Sequence, residues 1–468
     1  MNLEYATIKE IKALFYDGDL TSTDLVLYYL DRIATIDQGE PKYNSVFEVN
    51  PDALHIAAQK DYERNMGKVD GVLHGIPVLL KDNINTGDKT HTTAGANILK
   101  EHYALKDAKL VKQLRKEGAI ILGKTNLTEF ACFKSFDGVN GYSSLSGFVL
   151  CPWDIKEDPS GSSTGSAVAA ALNFAPVTVG TETLGSIMSP SAKNGVVGLK
   201  PTIGLISREG IVPISATTDT ADPIGRTVSD VAYLLSGLRC NDKFDPITLT
   251  KKDEFVDYTK YLVIDNLQRK KVGLIKNHFD KLSIKEQKAY ETVIETLKLK
   301  GVETIEIELE EPKNVLPVLY NEFKATLNSY LSNEGLKLTL KDIIKYNEAN
   351  SEENLKYGQQ VFLDVENKTS GKMNELEYIE SLKERNVFYH KIDQLFDDEK
   401  IDMLYFANFT SIGAFCGFPT LTIPIGLNEK KMPIGTFFLA RKFREDILLH
   451  LAYNIEQSLN LKMNPLNQ

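Results

Sequence analysis

Two loops of small residues and one lysine carry the side chains best suited to chemistry. Ser162 and Ser163 lie in DPSGSSTGS (residues 158–166), and Ser186 follows TLG in a second loop. A serine hydroxyl beside a base can attack a carbonyl carbon as a nucleophile. Lys81 ends the apolar run PVLL. There it either extends its ammonium to water or, if its neighbours desolvate it, loses a proton and acts as a base. The residues alone leave both interpretations of Lys81 open.

The pattern G-x-S-x-G of a nucleophile elbow occurs at residues 161–165, with Ser163 at its centre. That elbow needs an apolar strand directly before the first glycine and a histidine as base. The preceding residues IKEDPS do not read as a buried strand, and none of the seven histidines lies in a setting that favours a base. We therefore disfavour a Ser-His-Asp mechanism.

A second pattern, GAIILGKT at residues 118–125, matches the phosphate-binding motif G-x-x-x-x-G-K-[ST]. A phosphate loop needs its glycines after a strand, so that backbone N–H groups can wrap the phosphate oxygens. Here the middle residues Ala, Ile, Ile and Leu are themselves typical of a strand, and the first glycine precedes it. We interpret this segment as a strand and expect no nucleotide site.

The candidate residues lie at the ends of predicted secondary-structure elements. Residues 75–84 predict a short apolar strand, residues 107–116 a helix that Gly118 ends, and AIIL the next strand. A helix starting at SAVAAALNF and a strand at PVTVGTE follow, with Ser186 in the loop after that strand. Alternation of strands and helices is typical of an α/β sheet with crossover helices.

Beyond residue 301 the composition changes. Residues from about 310 to 400 are rich in Lys, Glu, Asn and Leu at helical spacing, which predicts a helical segment packed on the sheet. Strand-like runs return in IDMLYFANF, PTLTIPIG and MPIGTFFLA. An amphipathic helix is predicted near residues 445–459.

Composition narrows the class of protein. Of 468 residues, 54 are basic and 64 acidic, giving a net charge of −10, which argues against a nucleic-acid or anionic-membrane surface. The four cysteines show no C-x-x-C pattern, as expected for reduced thiols. The first residues show no apolar signal segment, and no apolar run is long enough to span a bilayer. We expect a cytoplasmic protein.

Four segments together resemble the amidase signature family. They are GIPVLLKD at residues 75–82, SGSSTGS at 160–166, GTETLGSIM at 180–188 and GVVGLKPT at 195–202. The resemblance covers about residues 20–240 and resumes from about 400 to 458. It implies an α/β fold with a single large mixed β-sheet covered by helices. We expect one amidase domain over residues 1–468, whose core spans 20–240 and 400–458, with a helical insertion at 310–400 that shapes the substrate cleft.

The resemblance implies hydrolysis of a carboxamide C–N bond through an acyl-enzyme. Ser186 matches the family's nucleophile, Ser162 its middle serine and Lys81 its base. In the family the peptide bond between Gly161 and Ser162 is cis, and Ser163 is a supporting hydrogen-bonding residue.

The family's oxyanion hole consists of backbone N–H groups, which in this chain belong to Thr183, Leu184, Gly185 and Ser186. Such donors stabilise the charge of a tetrahedral intermediate. The scheme needs neither a metal nor an organic cofactor.

This chain departs from the family pattern at four positions. Thr164 and Leu184 replace glycines, Glu182 replaces aspartate and Met188 replaces arginine. No triad member is lost, so a catalytically inactive binding protein is disfavoured. The details of these segments look most like the peptide amidase branch, which releases ammonia from peptide C-terminal amides.

The alternative is the glutamine-hydrolysing subunit of a tRNA-dependent amidotransferase, which acts only with partner subunits. We expect a small-molecule or peptide amide substrate, and no nucleic-acid or membrane partner. The sequence leaves open whether the chain forms a homodimer.

Overall fold

One mixed β-sheet of eleven strands forms the centre of the protein. The structure is a computed structural model that describes residues 3–251, 256–279 and 282–467. In chain order the strands are β1 (Val46–Val49), β2 (Pro77–Lys81), β3 (Ile120–Thr125), β4 (Tyr142–Ser143), β5 (Gly147–Phe148), β6 (Val177–Glu182), β7 (Val197–Lys200), β8 (Thr220–Gly225), β9 (Lys271–Ile275), β10 (Glu303–Ile307), β11 (Met403–Phe406), β12 (Thr420–Leu427) and β13 (Pro433–Leu439). Strands β4 and β5 form a separate hairpin.

The order of the strands in the large sheet is β1-β3-β2-β6-β8-β7-β12-β13-β11-β9-β10. Strands β3, β2 and β6 run parallel to one another, as do β11, β9 and β10, whereas the strands between these two groups pair antiparallel. The predicted fold class, a single mixed sheet covered by helices, is confirmed.

The α-helices lie around this sheet and connect its strands. They are α1 (Ile8–Asp17), α2 (Ser22–Arg32), α3 (Ala53–Asn65), α4 (Lys109–Lys116), α5 (Thr164–Ala171), α6 (Met188–Asn194), α7 (Val228–Leu238), α8 (Ile284–Leu299), α9 (Leu316–Asn333), α10 (Leu340–Ala349), α11 (Ser351–Asn354), α12 (Gln360–Lys368), α13 (Leu376–Asp398), α14 (Ile412–Cys416) and α15 (Glu445–Leu459). The predicted helix at residues 445–459 has the bounds of α15.

Helix α5 is short, made of small residues, and buried along its whole length. It packs against strands β2, β6 and β8 and against helix α6. Alanine, glycine and serine side chains allow this close approach of backbones, since larger side chains would need space that the sheet does not leave. The packing fixes the start of α5, and with it the serine loop that precedes the helix.

Helices α9 to α13 fill the region where a helical segment is predicted. Apolar side chains of α9, α10 and α12, Phe323, Ile343 and Phe362 among them, share a buried cluster with Phe130 and Val212 from loops beside the sheet. Helix α9 therefore packs against the loops that follow the strands. No helix in the described part of the chain is both long and apolar enough to cross a bilayer.

Candidate active site

The candidate residues meet at the carboxyl ends of two neighbouring strands. Strands β2 and β6 are parallel, with Leu80 opposite Val179. Lys81 is the last residue of β2, and the loop at residues 183–186 follows β6. Because parallel strands end at the same edge of a sheet, the register brings the lysine and this loop together.

The Lys81 side chain is fully buried and surrounded by oxygen atoms. Its Nζ lies 2.9 Å from Ser162 Oγ, 2.9 Å from Ser163 Oγ, 2.9 Å from Thr181 Oγ1 and 3.2 Å from the Thr181 carbonyl oxygen. Burial lowers the pKa of Lys81 to about 7, although nearby acidic groups act in the opposite direction. At neutral pH a large share of this amine therefore carries a free lone pair.

The Ser163 hydroxyl is saturated by structural hydrogen bonds. It donates to the Thr181 carbonyl oxygen at 2.9 Å and accepts the Thr181 N–H at 3.2 Å. With its hydrogen used, it can only accept from Lys81. Ser163 therefore anchors the amine, and it makes no hydrogen bond to a histidine in the described part of the chain, so the elbow interpretation has no structural support.

Ser162 is the serine that remains free to donate to the lysine. Its hydroxyl is fully buried, and its one hydrogen-bond partner among the described residues is Lys81 Nζ. The peptide bond between Gly161 and Ser162 is cis, as the family resemblance implies.

Ser186 lies beside this serine loop, because the Ser163 N–H donates to the Ser186 carbonyl oxygen at 3.2 Å. Within the described residues the Ser186 hydroxyl makes no hydrogen bond, so Ser162 and Ser186 are not joined by a direct side-chain hydrogen bond. Hydrogen bonds of catalytic groups are often long before substrate is bound and shorten in the substrate complex.

The backbone of residues 183–186 presents unused donors. The N–H groups of Thr183, Leu184, Gly185 and Ser186 donate to no protein acceptor in the part of the chain that is described. Gly185 has φ +88°, and a Cβ there would lie 2.8 Å from the ring of Phe409. The turn thus requires glycine at this position.

Two carboxyl groups, those of Glu182 and Asp219, hold this loop in place. Glu182 Oε2 accepts the N–H groups of Ile187 at 2.8 Å and Met188 at 3.0 Å, just after the loop. At its start, the Thr183 hydroxyl donates to Asp219 Oδ1 at 2.6 Å. Burial raises the pKa of Asp219 to about 6. The loop is therefore fixed at both ends.

A cavity of about 680 Å³ lies next to these residues. Asn83, Thr181, Thr183 and Asp219 line it on the side of the sheet. Helix α9 contributes Ala325, Thr326, Ser329, Tyr330 and Asn333, and the segment from Arg208 to Ala216 forms another wall. The volume is in the range of small-molecule sites.

The segment that matches the phosphate-loop pattern is the strand β3. Lys124 lies within this strand, and its Nζ donates to the carbonyl oxygens of Ile84 at 2.8 Å and His91 at 2.7 Å. Its amine is therefore used inside the protein, in agreement with the strand interpretation.

Thr181 and Asn83 were not among the sequence candidates, although both contribute to the site. Thr181 supplies two of the four oxygens around Lys81, and Asn83 Nδ2 donates to Thr181 Oγ1 at 3.0 Å. Thr181 stands inside the motif segment GTETLGSIM, and Asn83 directly follows the segment GIPVLLKD. Alternation along β6 could have placed Thr181 on the same face as Val179, but not beside the lysine.

Comparisons with known proteins show which proteins this chain is similar to. A family model described as Amidase matches residues 24–409. The chain is 37% identical to a probable amidase of Arabidopsis thaliana over 99% of this chain and 92% of that protein. It is 31% identical to a glutamyl-tRNA(Gln) amidotransferase subunit of Clostridium botulinum (strain Kyoto / Type A2), over 98% of each chain. Its structure is similar to the native peptide amidase of Stenotrophomonas maltophilia, with a TM-score of 0.92, 36% identity and 98% coverage of both chains.

Proposed function

The chain belongs to the amidase family and is an amide-hydrolysing enzyme; from that premise we propose that it cleaves carboxamides through a triad of Ser186, Ser162 and Lys81. The observation that carries the triad is the environment of Lys81. Its amine is buried, has a pKa of about 7, and lies within hydrogen-bonding distance of the Ser162 hydroxyl, which has no other partner among the described residues. A proton acceptor of this kind is what a serine nucleophile needs.

The reaction begins with neutral Lys81. The lysine accepts the Ser162 proton while Ser162 takes the proton of Ser186, and Ser186 Oγ attacks the carbonyl carbon of the amide. The N–H groups of residues 183–186 stabilise the resulting oxyanion. The relay then returns a proton to the leaving nitrogen, and the C–N bond breaks. Water attacks the acyl-enzyme by the same route and releases the carboxylic acid.

The proposed substrate is a peptide that ends in a carboxamide. The likeness to a peptide amidase supports it, and so does the charge of the cavity. The two cations of its lining, Lys106 and Arg208, are both ion-paired, Arg208 with Asp245 in a two-point contact at 2.6 and 2.9 Å. Free glutamine carries an α-carboxylate that would need such a cation, whereas a blocked peptide amide does not.

We also propose that helices α9 to α13 are the variable part of the enzyme and select among substrates. Residues of α9 face the catalytic strands across the cavity, so a change in α9 alters the volume that an acyl group can occupy. The core at residues 20–240 and 400–458 would then provide the catalytic groups but would not select the substrate.

The second candidate function is glutamine hydrolysis within an amidotransferase. The likeness to a glutamyl-tRNA(Gln) amidotransferase subunit over nearly the full chain favours it. That function would need partner chains and free glutamine as donor. Ammonia release from a blocked dipeptide amide, compared with release from glutamine, separates the two. Hydrolysis of glutamine alone, and only after partner subunits are added, would overturn the peptide-amide proposal.

Labelling with a serine-directed fluorophosphonate tests the nucleophile. We expect mass spectrometry to find the adduct on Ser186, and the Ser186→Ala variant to remain unlabelled and inactive on amides. Ser163→Ala is the matched control, and it should still be labelled at Ser186. An adduct on Ser163 in the unmodified enzyme would require a different triad.

A further inference from the structure

The Asn83 side chain is buried at the wall of the cavity, and its carbonyl oxygen is unpaired among the described residues. Asn83 is 3% exposed, and its Nδ2 donates to Thr181 Oγ1 at 3.0 Å. Its Oδ1 makes no hydrogen bond within the described residues. An unpaired buried acceptor costs stability, so it calls for an explanation such as a bound ligand or water.

The backbone on both sides of Asn83 is fixed, which fixes the direction of its side chain. The Asn83 carbonyl oxygen accepts the Val212 N–H at 2.8 Å, and the Ile84 N–H donates to the Lys81 carbonyl oxygen at 3.0 Å. Asn83 therefore stands on a short, pinned turn two residues after the lysine, and it shares the cavity wall with Thr181 and Thr183.

We propose that Asn83 Oδ1 binds the N–H₂ group of the substrate carboxamide and orients it for departure. This inference rests on the hydrolysis proposed above. With the carbonyl oxygen of the substrate at the N–H groups of residues 183–186, the amide nitrogen still presents two donors that need acceptors. Asn83 Oδ1 is a buried acceptor beside the lysine cluster, and no described residue donates to it.

The role of this contact follows from the shape of the intermediate. After attack the nitrogen becomes pyramidal, and its lone pair must face the proton that the serine relay returns. An acceptor that holds one N–H sets the direction of the lone pair. Precise orientation of reacting groups is worth large rate factors, and a misplacement of about 1 Å can cost roughly 100-fold. Asn83 thus makes the site selective for amides over esters, which have no N–H on the leaving atom.

The test compares two substrates with one acyl group, a blocked dipeptide amide and the methyl ester of the same dipeptide. Both form the same acyl-enzyme, so kcat/KM reports acylation in each case. In Asn83→Ala we expect kcat/KM for the amide to fall by roughly 10- to 100-fold and that for the ester to change by less than about threefold. Asn386→Ala, at an exposed position on α13, is the control and should leave both values unchanged.

Asn83→Asp keeps the acceptor oxygen and removes the donor. It should retain more amide activity than Asn83→Ala at high pH. Its activity should reach the alkaline plateau only at a higher pH, because a carboxylate near Lys81 favours the ammonium form of the lysine. Equal losses for amide and ester in Asn83→Ala would mean that Asn83 only supports Thr181, and would overturn the inference. The inference would also be overturned if Asn83→Asp, measured on its own alkaline plateau, were as impaired as Asn83→Ala.

Failure of the proposed function itself has a different signature. If Ser186→Ala retains amide hydrolysis, the triad is wrong whatever the Asn83 variants do.

Discussion

Lys81 can act as a base in this scheme because, among the described residues, its amine donates no hydrogen bond to a carboxylate. A comparison within the chain shows the effect. Lys60 lies 2.7 Å from both Glu63 and Asp70, and these contacts raise its pKa. Lys81 instead contacts three hydroxyl groups and one carbonyl oxygen. Serine and threonine hydroxyls can donate as well as accept, so these partners are compatible with a neutral amine.

The pKa of Lys81 predicts how activity depends on pH. The relay needs the neutral amine, so kcat/KM for a peptide amide should fall as pH decreases below about 7, by roughly tenfold per unit. Lys81→Arg carries a permanent charge, so its kcat/KM should fall by about 10²–10⁴-fold, at least as much as that of Lys81→Ala. Initial rates of the unmodified enzyme and of both Lys81 variants, measured from pH 5 to 10, test the pH dependence and the loss of activity.

Chemical rescue provides the control for this prediction. Added primary amines should partly restore the activity of Lys81→Ala, and the restored rate should increase with the concentration of the neutral amine. Near-normal turnover by Lys81→Arg would show that the lysine acts through its charge, and the proton relay would have to be abandoned.

At the level of elements, the loop between β6 and α6 places the proposed oxyanion donors. Its geometry depends on Gly185, whose positive φ and contact with Phe409 leave no room for a side chain. Glu182 and Asp219 hold the ends of the loop by hydrogen bonds. The substituted residues of this motif, Glu182 and Leu184, therefore leave the backbone donors in place.

A glycine substitution tests the loop. Gly185→Ala should lower kcat by roughly 10²-fold or more, because the added Cβ must displace the backbone donors or the Phe409 ring. Gly67→Ala is the matched control, since Gly67 also has positive φ, +72°, but a Cβ there meets nothing within 4 Å. Both variants should lose about 1 kcal/mol of stability from the backbone conformation, and only Gly185→Ala should lose activity. Equal kcat values for the two variants would contradict this role of the loop.

At the scale of the whole molecule, burial of carboxyl groups links stability to pH. Glu456 on α15 accepts the Val228 N–H at the start of α7 at 2.8 Å, and burial raises its pKa to about 8. Asp82 and Asp230 are likewise raised to about 6. The folded protein then binds more protons than the unfolded chain between pH 4.5 and 8, so these groups destabilise the fold progressively as pH rises. Activity gained above pH 7 is therefore accompanied by lower stability.

Glu456→Gln tests this linkage. The neutral amide of the variant still accepts the Val228 N–H. The free energy of unfolding of the variant should therefore lack the pH dependence that Glu456 gives the unmodified protein. The difference between variant and unmodified protein should grow by up to about 1.4 kcal/mol per pH unit between pH 4.5 and 8 and then level off. Urea unfolding at several pH values measures it. Glu295→Gln, on the exposed side of α8, controls for the loss of one charge, and a difference that is flat across this range would refute the buried-acid account.

Those parts of this protein that are local in the chain could be predicted from its residues. Strand β2 with its terminal lysine, the serine loop before α5 and the loop after β6 each lie within a short segment, and their patterns predicted the fold class and the family. These features depend on periodicity and on glycine and serine in turns, which neighbouring residues dictate.

How these parts meet depends on long-range packing, which no local pattern contains. Packing of β2 against β6 brings Thr181 to Lys81, and the hydrogen bonds of Ser163 leave Ser162 as the serine free to donate. Helix α9, far along the chain, forms one wall of the cavity, and Asn83, whose Oδ1 is unpaired among the described residues, lies in another. The pKa of a lysine depends on the atoms that surround it in space, because burial and hydrogen bonding set the cost of its charge. A linear pattern places Lys81 at the end of a strand, but the charge state of the lysine follows from the folded packing around it.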